Sequence, residues 1–293
     1  PTNAYNVAVG SSAGNAVNQG RLNVFVGGLA GTDITDGGSN VAVGYGALFS
    51  DVLGSTSTAV GRSALQTQSF SSTTQSLNTA VGYFAGIGIT TGLANTLIGS
   101  NAGDSLTDAD HNVALGYLAL ASDTLGSKTV AIGRGALTAQ NFTSATDSHN
   151  TAVGFNAGGS VTNGTQNTIM GSDAGDAITD GTGNSCFGKE AGSNVTTGGN
   201  NLLLGHDAGI TGSPGGNITT GSHTIVLGDE NITSFNCQVA LTVASDERDK
   251  TEFSDLNLGL EFVKSLEPGT YYWDRRSSYG DKEAEDYDLS AQT

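Results

Sequence analysis

The side chains able to carry chemistry are few in this chain, and their spacing argues against catalysis. His111, His149, His206 and His223 follow no metal-ligand pattern, and no Ser/His/Asp set, carboxylate pair or phosphate loop stands out. Asp36, Asp108 and Asp180 recur at one constant interval, a spacing that suits turn chemistry. Cys186 and Cys237 fall in different contexts and read as two free thiols. No metal, no cofactor and no enzyme activity acting on other molecules are therefore expected. Two features remain as candidates for contact. One is a column of aromatic and basic residues, Tyr45, Arg62, Tyr83, Tyr117, Arg134 and Phe155, whose neighbours suit cation–π pairing and offer a glycan-binding stripe. The other is a pair of equivalent inserts around Phe70 and Phe142, placed where loops on a rigid rod would meet a receptor.

A repeated phrase positions these residues. NTAVG and its variants occur thirteen times, and the closing glycines are spaced 17, 17, 17, 21, then 17, 17, 17, 21, then 17, 17, 17, 23. Gly10, Gly82 and Gly154 open successive turns of this longer cycle, so a unit of four rungs is itself repeated. A fixed short period predicts a solenoid. At the ~4.8 Å separation of paired strands, thirteen rungs make a rod on the order of 60 Å long. The large apolar residues of each phrase, such as Val7 and Val9, fall on one strand face and are expected to form the core. The small residue between them, usually alanine (Ala8, Ala42, Ala80, Ala114, Ala152), should then face a closely packed partner, and three copies around one axis fit best. The opening asparagines should stack as a hydrogen-bonded ladder.

Composition divides the chain. Residues 1–244 carry 20 charges and 41 glycines, whereas residues 245–293 carry 19 charges and 3 glycines. The expected organisation is a repeat shaft over 1–232, a connector over 233–244 and a distinct segment over 245–293. The net charge of −17 opposes a nucleic-acid or anionic-membrane partner. No apolar run approaches the ~20 residues that span a bilayer. The start on Pro1 is read as the start of a fragment.

The phrase NTAVGYFAG at 78–86, with its relatives over roughly residues 5–232, resembles the left-handed β-roll head repeats of trimeric autotransporter adhesins. That resemblance implies a homotrimer. Residues 244–274 are similar to the opening of the intramolecular chaperone domain of endosialidase-type phage tail spikes and fibres, whose Ser-Asp-x-Arg-x-Lys motif is matched by SDERDK at 245–250. That likeness implies self-cleavage, with Ser245 attacking the carbonyl of Ala244 and Lys250 as its general base. Asp249 stands where the family has an apolar residue and favours the protonated lysine, so scission is expected to be slow or absent. The resulting expectation is an all-β, trimeric, left-handed parallel β-roll or β-solenoid of about thirteen rungs, followed by a small α+β segment that is the start of a chaperone domain. Its role would be that of a phage tail fibre or spike, made in the host cytoplasm and carried on the virion tail. Its partners would be two further copies, other tail proteins and a host surface receptor such as a glycan. The rival expectation is a bacterial trimeric surface adhesin.

Overall fold

Each repeated phrase folds as a strand of three residues that is stopped by its glycine. The closing glycines from Gly10 to Gly205 lie at φ between +117° and +146°, a region that L side chains rarely occupy. A Cβ on Gly61 would also lie 2.2 Å from the carbonyl oxygen of Gly82 in the next coil. Glycine is thus required twice over, by the turn and by the close stacking of coils. The structure, a computed structural model, describes residues 4–238.

The strands stack as one parallel sheet of thirteen, from Val7–Val9 to Ile225–Leu227, with about twelve turns of chain between the first and the last. Every pairing is in register: Ala8 lies on Phe25, Phe25 on Ala42, and Ala42 on Ala59. The chain is therefore a parallel β-solenoid, and no helix occurs among the described residues. Two small parallel pairs, Gly54–Ser55 with Thr74–Gln75 and Gly126–Ser127 with Thr146–Asp147, mark the two 21-residue coils, one in each of the first two four-coil units. The solenoid unit closes at Phe235.

The sheet is inside out relative to the sequence expectation. Ala42, Ala59, Ala80, Ala114, Ala131 and Ala152 are fully buried within their own chain, while the large residues on either side of them face outward. Ala8 is exposed because its strand lies at the open end. The physical reason is coil width. A 17-residue coil encloses so little space that its interior holds one strand column, the facing column of Ala30, Ala47, Ala64 and their equivalents, and single larger side chains such as Ile34 or Leu48 from the rest of the coil. Each three-residue strand points one residue inward and two outward, so choosing the larger pair as the core assigns both faces wrongly.

Core volume is shared between two positions and between adjoining coils. Four coils with alanine on the strand, those of Ala42, Ala59, Ala114 and Ala131, carry Leu48, Leu65, Leu120 and Leu137 six residues later, and these leucines fill the core. The coils of Ala80 and Ala152 have Gly86 and Gly158 there, and the side chains of the adjoining coils, Leu65 and Leu97 or Leu137 and Ile169, take the space. Where the strand residue is Phe25, Leu97 or Ile169, that later position is glycine. A Cβ on Gly31 would lie 2.4 Å from the Phe25 ring, and one on Gly103 would lie 2.9 Å from Leu97.

The asparagine ladder forms as expected. The Asn23 amide donates to the Gly37 carbonyl at 2.9 Å, and its oxygen accepts the Asn40 N–H at 2.9 Å, so both bonds reach the next coil.

Candidate functional site

Among the described residues, the outward face of the sheet carries two columns of partly exposed side chains. One outward column runs Val24, Val41, Thr58, Thr79, Thr96, Val113 and onward. The other runs Val26, Val43, Val60, Val81, Ile98, Leu115, Ile132, Val153, Met170, Phe187, Leu204 and Leu227. Of the second column, Val81, Ile98, Leu115, Met170, Leu204 and Leu227 are 36–48 % exposed. Parallel sheets are normally covered on both faces, and large exposed apolar patches mark sites of interaction.

The residues after the closing glycines form a ridge along this face. Arg62 lies 5.6 Å from the Tyr83 ring centroid and 5.5 Å from that of Phe84, and its Nη1 donates to the Tyr83 hydroxyl at 3.2 Å. The two rings stack at 3.9 Å. Four coils further on, Arg134 lies 5.7 Å from Tyr117 and 5.3 Å from Phe155. The cation–π column read from the sequence is present, and its rings are about half exposed. Beyond Phe155 the column changes character to Ser172, Lys189, His206 and Asp229.

The two insert phenylalanines lie inward. Phe70 and Phe142 are each 6 % exposed, so their rings are not available as receptor contacts; only neighbours such as Ser71 and Ser72 face solvent. The backbone of Phe70 and Phe142 joins two buried polar nodes that the sequence reading missed, as in the Phe142 N–H that donates to Asp123 Oδ1 at 3.1 Å. In the first, Gln68 Nε2 donates to Asp51 Oδ2 at 2.7 Å and to Ser57 Oγ at 2.8 Å, while Gln68 Oε1 accepts from Asn78 Nδ2 at 2.9 Å. In the second, Gln140 donates to Asp123 at 2.6 Å and to Thr129 at 3.1 Å, and accepts from Asn150 at 2.8 Å. Ser57 and Thr129 stand in the ladder where most coils have asparagine, and the glutamine carboxamide from the four-residue insert takes the missing amide's place. The available signal was that both departures, the lost asparagine and the longer coil, occur together once in each of the first two four-coil units.

The remaining candidates separate cleanly. Asp36, Asp108 and Asp180 accept hydrogen bonds from the preceding coil, as in Thr91 Oγ1 to Asp108 at 2.6 Å, which is the turn chemistry expected of them. Cys186 and Cys237 are both free, and burial pushes the Cys186 thiol up to about 12, leaving it inert. Ser245 and Lys250 lie outside the described residues. The histidine reading needs one correction, because the fold brings His206 together with Asp207 and Asp229. A 23-residue coil separates the last of these in sequence, which hides the group from any search by local spacing. No known protein family, curated protein or solved structure matches the chain.

Proposed function

We propose that the chain is the shaft of a homotrimeric phage tail fibre or spike, with three left-handed solenoids packed through their outward sheet faces and residues 245–293 directing assembly. The observation that carries the trimer is the uncovered apolar face, which runs the full length of the thirteen-stranded sheet. A second copy presents the same strip at the same height, so three in-register chains cover one another. Support for the phage assignment and for the chaperone role is the SDERDK stretch at 245–250 in the sequence alone. The aromatic and arginine ridge flanks the covered strip and supplies a rigid surface for a host glycan.

Near-identical coils leave three chains free to pair out of step by whole coils, because slipped arrangements bury nearly as much surface. A C-terminal module that joins first removes that freedom. Sedimentation of the full chain should give a trimer. Leu115→Asp together with Met170→Asp, which place charge in the outward column and leave each coil's interior intact, should shift the population toward single chains. A natural sequence that sediments as a folded monomer would defeat the proposal.

A further inference from the structure

The ridge after the closing glycines ends at the last two coils in a group of metal-ligating side chains. Leu204 pairs with Leu227, which stacks His206 one coil from Asp229. His206 Nδ1 lies 3.2 Å from Asp207 Oδ2 and 3.6 Å from Asp229 Oδ2, and ligand atoms from all three residues lie within 4.8 Å of one another. A tetrahedral ion with bonds of about 2.0–2.1 Å holds its ligand atoms about 3.3 Å apart, a value between the two His206 separations. The two carboxylates, no more than 4.8 Å apart, would close to that spacing on an ion.

A second observation points the same way. Asp207 Oδ1 is shut off from solvent and has no hydrogen-bond partner, the one such side-chain atom among the described residues. Buried carboxylate oxygens are ordinarily satisfied. Lys189, one coil away, does not satisfy this one, because its amine sits on the Glu190 carboxylate. The Asp229 side chain is meanwhile held in place by Asn231, whose backbone N–H and Nδ2 donate to its two oxygens at 2.9 and 3.0 Å. Outer hydrogen bonds of this kind orient ligands in metal sites.

We propose that His206, Asp207 and Asp229 bind one divalent first-row transition ion per chain, of the zinc class that accepts imidazole and carboxylate together. The His206 side chain is 55 % exposed, so water completes the coordination. The ion bridges the last two coils and clasps the end of the sheet. The site lies within one chain and does not depend on the number of chains in the assembly.

The test is calorimetric titration of the full chain with Zn²⁺ at neutral pH, alongside His206→Ala and Asp229→Asn. One ion per chain is expected, with affinity falling at least tenfold in each variant. His206→Ala should melt like the natural chain without zinc, because the ring is exposed, and should lose the rise in melting temperature that zinc gives the natural chain. No uptake at millimolar zinc would overturn the proposal and leave His206 as an ion-pair partner only. Equal uptake by natural chain and variants, or equal uptake of Mg²⁺, would also overturn it by assigning the binding to the acidic surface at large.

Discussion

Asp51 ends a chain of polarity that no neutral residue can replace. Asn78 donates to Gln68, and Gln68 donates to Asp51, which also accepts the Gly54 N–H at 2.9 Å. The final residue must therefore be all acceptor. In Asp51→Asn, two N–H groups would meet at the Gln68 end, and the unsatisfied donor should destabilise the solenoid by about 1–3 kcal/mol in denaturant unfolding. Burial, the largest influence, holds the Asp51 carboxyl above its ordinary value, against the lowering effect of Gln68 and of backbone donors. A carboxyl raised in this way binds its proton more tightly when folded. Its contribution is complete below the ordinary carboxylate value and is lost as pH rises through the folded value. The stability difference between the natural chain and Asp51→Asn should accordingly widen as pH is lowered from neutrality toward 4. A difference that narrows on acidification would show that hydrogen bonding, not burial, dominates. Little of this was legible in the sequence, because Asp51, Gln68 and Asn78 become neighbours only once coils of unequal length are stacked.

Within a coil, the strand residue and the residue six places later share one volume. The sequence displays both halves of this exchange in part, as Leu48, Leu65, Leu120 and Leu137 in coils with a strand alanine and as Gly31 and Gly103 in the coils of Phe25 and Leu97. Strand positions, period and ladder were therefore legible. The facing of the strand was not, because the rule that larger apolar residues go inside presumes an interior wide enough to hold them. Phe25→Ala should cost about 3–5 kcal/mol through the cavity it leaves. Gly31→Leu alone should also destabilise, since its Cβ would meet the Phe25 ring. The double substitution copies the Ala42 and Leu48 coil, where leucine tolerates φ of 51°. It should recover much of the loss, and a double-mutant cycle measures that coupling. Strict additivity of the two costs would count against volume exchange.

At the scale of the whole molecule, the repeat made the solenoid legible, whereas the outward strip and the group at His206 depended on knowing which residues stack. The sheet also has a directional property. Its backbone hydrogen bonds join coil to coil in register along the length of the solenoid, as from the Val24 N–H to the Asn40 carbonyl at 2.8 Å and from the Gly44 N–H to the Val26 carbonyl at 2.8 Å. Tension applied along that direction loads one inter-coil seam at a time instead of shearing many together. A chain held by its two ends in a force spectrometer should therefore peel as a zipper does, at low and nearly constant force. Each 17-residue coil would release about 55 Å of contour, at roughly 3.5 Å per residue less the stacking distance it gives up. The two 21-residue coils would release about 70 Å each, and their buried polar nodes should appear as the points where the trace pauses.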